Sequence, residues 1–123
     1  MNDCVFCKII NGDIPSYKIY ENDNILAFLS IDPDYYGHSL VIPKKHYVDY
    51  TDISLEVLNQ INEVGKIVFD KLNTNLKPDG IKLAQNNGFL QEVKHYHLHI
   101  IPTYKNEKEG KEKFEDVLKE ILK

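Results

Sequence analysis

The sequence predicts an α+β fold in which an antiparallel five-stranded meander sheet is combined with one long helix and a C-terminal helix. Three observations predict it: short apolar segments bounded by polar turns or prolines, one long stretch with helical periodicity, and a second amphipathic stretch near the end of the chain. No repeat, low-complexity tract or glycine- or proline-rich linker interrupts the 123 residues. We therefore expect one domain over residues 1–123, with a core over 1–104 and a helical tail over 105–123.

Five short segments have the composition and boundaries of strands. The polar turn Asn22-Asp23-Asn24 joins the first two as a hairpin, and Pro43 and Pro102 stop the third and the last. The turn Asn86-Asn87-Gly88 separates the fourth and fifth, which we expect to pair antiparallel. The predicted strands are Lys18 to Glu21, Ile25 to Leu29, Ser39 to Pro43, Gly80 to Gln85 and His95 to Ile101.

Two segments carry apolar residues at helical spacing. The first runs from Ser54 to about Leu76, behind a cap at Asp52 or Ser54. The second lies in the tail and indicates a helix that docks on the rest of the chain. The first stripe is Leu55, Leu58, Ile61, Val64, Val68 and Leu72, and the second is Phe114, Val117, Leu118, Ile121 and Leu122.

Composition excludes several classes of function. No apolar run approaches the roughly 20 residues that span a bilayer. A net charge of -4 argues against binding to nucleic-acid polymers, which needs a basic face. All 15 basic residues are lysines, so a bound phosphate would be held by backbone amides, amide side chains and histidines rather than by an arginine fork. Met1 to Cys4 shows no feature of an export signal, and we expect a small-molecule ligand and a cytoplasmic location.

The segment from His95 to His99 carries histidines at alternate positions. In a strand, His95, His97 and His99 would share one face, while Tyr96 and Leu98 would face the core. Three imidazoles on one face are costly unless they bind a metal, an anion or one another. A solvated strand face, a zinc or iron centre and an anion-binding site are all open from the residues alone.

The run from His95 to Ile101 resembles the His-φ-His-φ-His-φ-φ signature of the histidine-triad (HIT) superfamily, in which φ is an apolar residue. The resemblance is to its Hint-like bacterial branch, and it covers nearly the whole chain to Pro102. A HIT-like fold is the expectation that follows. The other matching segments, in order, are Cys4 to Pro15, Leu26 to Phe28, Gly37 to His46, Asn86 to Gly88 and His99 to Pro102.

The resemblance implies an enzyme that cleaves a bond at the α-phosphorus of a nucleotide. His97 is implied as the nucleophile that forms a covalent nucleotidyl intermediate, which water then resolves, and a neutral imidazole suits this role near pH 7. His99 is implied to donate to a non-bridging phosphate oxygen, and His38 to bind the phosphate or the departing group. Asn86 matches the family's asparagine beside the phosphate, although by itself the run that contains it is a turn.

The resemblance also implies an apolar slot for a purine base. A flat ligand needs apolar walls, and the same residues could equally pack in the core. The residues of this predicted slot are Val5, Phe6, Ile9, Phe28 and Ile31.

Cys4 and Cys7 form a Cys-x-x-Cys pair. By spacing alone, in a reducing compartment, the pair indicates metal ligands or a redox couple, with buried free thiols as the alternative. The resemblance implies that they hold a structural zinc ion together with His46 and His95. Two thiolates and two imidazoles would complete a tetrahedral site with no open position for catalysis, so no catalytic metal is required.

Three positions depart from the family's pattern. Ser30 stands where an aspartate usually grips both ribose hydroxyls, which puts ribose affinity in doubt, although Asp32 could compensate. The loop from Gly88 to Gln91 is shorter than usual, and Gln91 is its best candidate for a phosphate contact. Glu92 stands where some relatives carry a serine next to the phosphate, which could change how the leaving group is handled.

The leading hypothesis is hydrolysis of a purine nucleoside phosphoramidate or an adenylylated amine, with release of a nucleoside monophosphate. His99 favours water as the final acceptor, because transferases of the superfamily would carry glutamine there. The alternatives are a dinucleoside polyphosphate hydrolase, a non-catalytic nucleotide-binding or zinc-stabilised regulatory module, and a metal-dependent enzyme that uses the histidine triplet. The resemblance further implies a homodimer.

Overall fold

A computed structural model describes residues 3–106 and 112–123 of the chain. It contains three α-helices and five strands, with a single 3₁₀ turn at Gly88–Leu90, among these residues. The helices are α1 (Val5–Ile10), α2 (Leu55–Leu76) and α3 (Phe114–Ile121). The strands are β1 (Lys18–Glu21), β2 (Ile25–Leu29), β3 (Ser39–Pro43), β4 (Gly80–Ala84) and β5 (Leu98–Thr103).

The five strands form one antiparallel sheet in the order β1-β2-β3-β5-β4. The first three strands follow the predicted meander, and β5 then pairs with both β3 and β4, so that β4 lies at the edge. The predicted α+β class with five strands, one long helix and a C-terminal helix is confirmed. This order places β5, with His99 on it and His97 just before it, between β3 and β4.

The bounds of the last strand differ from the prediction. Pro102 lies inside β5, which continues to Thr103. Because the Thr103 carbonyl faces β4 and accepts from the Asp79 N–H (2.9 Å), the nitrogen of Pro102 faces the other side, where pairing with β3 has ended at Ile100. The proline therefore removes no ladder hydrogen bond.

The start of the last strand also differs, because β5 begins at Leu98 and not at His95. The carbonyl of His95 accepts a hydrogen bond from the His97 side chain (2.8 Å), and the Tyr96 N–H donates to the Tyr47 carbonyl (2.7 Å). These bonds replace strand pairing before Leu98. In the same way β4 ends at Ala84, one residue before the predicted end.

The long helix begins behind Ser54, whose side chain accepts from the Val57 N–H, as the sequence predicts for a helix cap. Its buried side is Ile61, Val64, Gly65, Val68, Leu72 and Leu76. Leu55, at the start of the predicted stripe, is 76% exposed, because it lies in the first turn beyond the edge of the core. In the described part of the chain, no helix combines the length and apolarity needed to cross a membrane.

The sequence predicts the tail helix but not the short helix near the N-terminus. The tail helix α3 buries Val117 and Ile121 and contacts α2 and β1, so the predicted docking is confirmed. The short helix α1 was not predicted, since six residues are too few for a periodic pattern to show. The division at residue 104 stays a prediction, and residues 107–111 of the predicted tail lie outside the described residues.

Both faces of the sheet are covered, which explains why β2 and β3 are buried along their whole length. One face packs against α2 and α3. The other face, together with α1, forms a smaller apolar cluster of Phe6, Ile9, Leu26, Phe28, Leu40 and Ile42. Residues of this second face form part of the wall of a cavity.

Candidate active site and metal-ligand cluster

A cavity of about 420 Å³ lies on the face of the sheet that α1 covers. It brings together residues that are distant in the sequence, and it includes all but one of the predicted catalytic and ligand-binding residues. The predicted residues in its lining are Val5, Phe6, Ile9, Phe28, Ser30, Ile31, His38, Asn86, Glu92, His97 and His99.

The apolar wall of the cavity is built around Phe6. Its ring lies edge-on to the rings of Phe28 (5.6 Å between centroids) and His97 (5.1 Å). Phe6 is buried because α1 places Phe6 and Ile9 against the second face of the sheet, while the exposed Val5 lines the cavity. Cys4 caps this helix by accepting a hydrogen bond from the Cys7 N–H. The wall is thus an aromatic and aliphatic surface that ends at an imidazole.

His97 is held in one orientation by the backbone. Its Nδ1 lies 2.8 Å from the carbonyl oxygen of His95. Because a carbonyl only accepts, Nδ1 carries the proton and Nε2 keeps a free lone pair. Burial lowers the pKa of His97 below its usual value of 6.5, against the opposing effects of the His95 hydrogen bond and the Glu92 carboxylate. The imidazole is therefore neutral near pH 7, and Nε2 is available as a nucleophile.

His38 and His99 form a second oriented pair. The Asp34 N–H donates to His38 Nδ1 (3.0 Å), which leaves the proton of His38 on Nε2. His38 Nε2 then donates to His99 Nδ1 (2.9 Å), so the remaining proton of His99 is on Nε2. Burial lowers the pKa of His38, and burial with the neighbouring histidines lowers the pKa of His99 to about 4. His99 is thus a neutral donor about one ring away from His97, with 4.7 Å between centroids.

Ionised side chains also line this cavity. Lys82 lies on β4, two residues before Ala84, and both contribute to the lining. Asp32 and Asp34 lie near His38, where their charges and that of Lys82 act on the imidazole in opposite directions. Sequence reasoning did not single out Lys82 or Asp34. The two-residue alternation of β4 toward His99 could have placed Lys82 on this face.

Gln91 is the one predicted ligand-binding residue that does not line the cavity. Its backbone N–H donates to the Gly88 carbonyl (3.0 Å), which closes the 3₁₀ turn, and its side-chain Nε2 donates to the Val48 carbonyl. The short loop therefore turns Gln91 inward, where it is 3% exposed. Ser30 does line the cavity, and its hydroxyl accepts from the Asp32 N–H (3.2 Å).

Four potential metal ligands converge at the N-terminal end of α1, next to the cavity. The ligand atoms of Cys4, Cys7, His46 and His95 all lie within 4.8 Å of one another. Cys4 Sγ lies 3.3 Å from His95 Nδ1, and Cys7 Sγ lies 3.3 Å from His46 Nδ1 and 3.6 Å from His95 Nδ1. A zinc ion in tetrahedral coordination would place its sulfur and nitrogen ligands about 3.6 Å apart. The spacing of the donors therefore fits such an ion.

The chemistry of the donors also fits a metal. His95 is fully buried, and its Nε2 donates to the Pro43 carbonyl (2.8 Å), which leaves the Nδ1 lone pair directed at the two sulfurs. Burial lowers the pKa of His95 to about 4, so the ring is neutral as a ligand must be. Burial, together with Cys4, raises the pKa of the Cys7 thiol to about 11, and a cation among these ligands would favour the thiolate instead.

The fold and the cavity define a small α+β protein with a buried, neutral histidine in a partly apolar pocket and an adjacent Cys₂His₂ cluster. A HIT domain model matches residues 11–106. The chain therefore belongs to the HIT family.

Relatives and solved structures agree with this assignment. The chain is 44% identical over 128 residues to a HIT-like protein of Methanocaldococcus jannaschii, covering 96% of this chain and 98% of that one. It is 42% identical over 109 residues to the adenosine 5'-monophosphoramidase of Saccharomyces cerevisiae, covering 87% and 66% of the two chains. A zinc-bound histidine triad family protein from Mycobacterium smegmatis superposes with a TM-score of 0.91 at 36% identity, covering 98% and 91%.

Proposed function

We propose that the protein is a hydrolase of purine nucleoside phosphoramidates or adenylylated amines that releases a nucleoside monophosphate. One observation carries the proposal: the His95 carbonyl fixes the Nδ1 proton of His97, and this leaves a neutral Nε2 nucleophile in a cavity with an apolar wall. The yeast relative is named for this kind of activity, which supports the choice.

The cavity suggests how a nucleotide would bind. The purine would lie against Phe6 and Phe28 with its phosphate near His97, at the end of the apolar wall. The His99 Nε2–H would donate to a non-bridging phosphate oxygen, and Asn86 would add a neutral amide donor. His38 orients His99 and so acts as a positioning residue in this arrangement.

The reaction would proceed in two steps through a nucleotidyl-histidine. In the first, Nε2 of His97 forms a bond to phosphorus while the P–N bond to the amine breaks with its electron pair going to the nitrogen, which takes up a proton. The His95 carbonyl stabilises the charge that develops on the ring. In the second, water attacks phosphorus, the bond to His97 breaks with its pair returning to Nε2, and the proton released by water balances the one taken by the amine.

For the Cys₂His₂ cluster we propose a structural zinc site. Cys4, Cys7, His46 and His95 would hold the ion and fill its tetrahedral positions, and when bound it would supply a crosslink and not an acid or base. Two thiolate ligands suit a reducing compartment, which supports the cytoplasmic location that we propose. The zinc-bound neighbour from Mycobacterium smegmatis supports the metal.

We also propose that two chains form a homodimer through β4. This strand is at the edge of the sheet, and Leu83 on it is 57% exposed. An unpaired edge with an exposed leucine favours pairing with a second copy. Light scattering should give the mass of a dimer, and Leu83→Lys should shift it toward the monomer. A monomeric mass for the native chain would contradict the dimer.

Release of AMP from adenosine 5'-phosphoramidate tests the enzymatic proposal. The native chain should turn over this substrate, and His97→Ala should lose roughly 10⁴-fold or more in kcat/KM, as expected for a missing nucleophile. The melting temperature of the variant and its affinity for AMP show that the fold and the binding site persist. Binding of AMP without turnover by the native chain would instead support the non-catalytic module, and faster turnover of a dinucleoside polyphosphate would support the alternative hydrolase.

A further inference from the structure

Glu92 places a carboxylate in the lining of the cavity. Glu92 follows the loop at Gly88–Leu90, is exposed, and lines the cavity close enough to His97 for its charge to act on that imidazole. Among the described residues, its side chain forms neither a hydrogen bond nor an ion pair. A negative charge is therefore presented to whatever occupies this end of the cavity.

The other charged groups do not neutralise it. Lys82 is the one lysine in the described lining, and its charge and that of Asp34 act on His38 and His99, whereas the charge of Glu92 acts on His97. Lys94 is close to Glu92 in sequence, but its Nζ donates to the Gly88 carbonyl and it does not line the cavity. The ionised residues in the described lining are thus three carboxylates and one ammonium.

In the proposed binding mode, Glu92 lies on the side of His97 from which the leaving group departs. In that mode the purine base packs against the apolar wall and the phosphorus atom lies at His97. The leaving amine, on the side of phosphorus away from His97, then points toward the opening of the cavity. Leu90, two residues before Glu92 in the chain, also lines the cavity and is 61% exposed. Leu90 carries no charge, so Glu92 supplies the charge of this segment of the lining.

We propose that Glu92 is a specificity-determining residue that selects substrates whose leaving amine carries a second, positively charged group. The inference rests on the proposed function and narrows its substrate class. A leaving group with an ammonium or guanidinium a few bonds from the P–N nitrogen is attracted to the Glu92 carboxylate, and an anionic one is repelled. The anionic leaving group of a dinucleoside polyphosphate belongs to the disfavoured class.

Three substrates of equal length test the proposal. Each is AMP joined through a P–N bond to an alkylamine that ends in an ammonium, a methyl or a carboxylate. At low salt the native chain should prefer the ammonium over the carboxylate by about tenfold in kcat/KM, with the methyl between them, and added salt should reduce the preference. Glu92→Gln should bring the ratio close to one, and Glu92→Lys should reverse it.

The matched control is Glu63→Gln, an exposed carboxylate on α2 that does not line the cavity. It should leave the ratio between substrates unchanged. A native ratio within about twofold at low salt, or a ratio that survives Glu92→Gln, would overturn the proposal while the hydrolase activity stands. An equal fall for all three substrates in Glu92→Gln would assign Glu92 to catalysis and not to selection. If no substrate releases AMP although AMP binds, the proposed function fails and this inference fails with it.

Discussion

His95 and His97 are two residues apart, both are buried, and they belong to different sites. His95 directs Nδ1 at two cysteines in a closed cluster, whereas His97 keeps Nε2 free beside an open cavity. In each residue one backbone carbonyl fixes the tautomer. The Pro43 carbonyl accepts a hydrogen bond from Nε2–H of His95, and the His95 carbonyl accepts one from Nδ1–H of His97. The comparison teaches that hydrogen bonds to the main chain, and not the residue type, separate the proposed metal ligand from the proposed nucleophile.

The two sites are also joined by one side chain. The ring of Phe6 lies edge-on to His95 (5.8 Å) and to His97 (5.1 Å). The cysteines of the cluster flank the cavity wall on α1, because Cys4 caps the helix and Cys7 follows Phe6 directly. Any coupling between the two sites can therefore be tested by changing the metal-ligand cluster and measuring binding or catalysis at the cavity.

The largest expected effect is on stability. Zinc should raise the free energy of unfolding of the native chain by about 4 kcal/mol, relative to the zinc-free chain, when free zinc is 1000-fold above its dissociation constant. Cys7→Ser removes one metal ligand, so zinc should stabilise this variant less. Denaturant unfolding with and without zinc measures this. Lys8→Ser, which changes the next residue of α1 but not the ligand set, is the matched control. Equal stabilisation by zinc in native chain and Cys7→Ser would contradict the cluster as the binding site.

The next effect is on catalysis. His99→Ala removes the oriented donor beside His97 and should lower kcat by about 10² to 10³-fold, the usual loss for one donor to a developing charge. Zinc content, measured by atomic emission, should stay the same as in the native chain. A variant that kept its kcat would show that His99 has no role in the transition state.

A smaller effect should connect the two sites. Removal of zinc by a chelator should weaken AMP binding by about tenfold, because α1 would then be held to the sheet only by its apolar contacts. Calorimetric titration of AMP into the zinc-loaded and zinc-free chain measures the change without relying on activity. By linkage, saturating AMP should strengthen zinc binding by the same factor. Equal affinities in both forms would show that the two sites are independent.

The smallest expected effect is a displacement in pH dependence. The nucleophile must be neutral, so kcat/KM should fall as the pH drops through the pKa of His97. Burial lowers that pKa below 6.5, so the acid limb of the profile should lie below pH 6.5. A profile recorded with the unsubstituted phosphoramidate checks this. An acid limb above pH 6.5 would mean that His97 is more exposed to water than its burial indicates.

The sheet, the long helix and most of the cavity could be predicted because their signals are local. The strands β1 to β3 have the predicted bounds, and the cap at Ser54 follows from residue type. The prediction that His38, Asn86 and His97 lie in one site came from the resemblance to the family, because their spacing in the sequence does not indicate it.

What the sequence could not provide depends on contacts between distant segments. Gln91 faces the Val48 carbonyl and not the cavity, because the short loop closes as a 3₁₀ turn. Pro102 continues a strand because the neighbouring strand has already ended. The proton positions of the histidines depend on carbonyls such as that of Pro43, which is 52 residues away from His95. Such pairings are fixed only by the folded chain.

The most direct test of the central claim is chemical identification of the intermediate. The native chain would be mixed rapidly with an adenosine phosphoramidate, quenched under conditions that preserve phosphoramidate bonds, digested and mapped by mass spectrometry. The account predicts one adenylylated residue, His97, with none in His97→Ala. An adduct on His99 or His38 would contradict it. Rapid turnover with no adduct on any histidine, even at a pH at which hydrolysis of the intermediate is slow, would also contradict it.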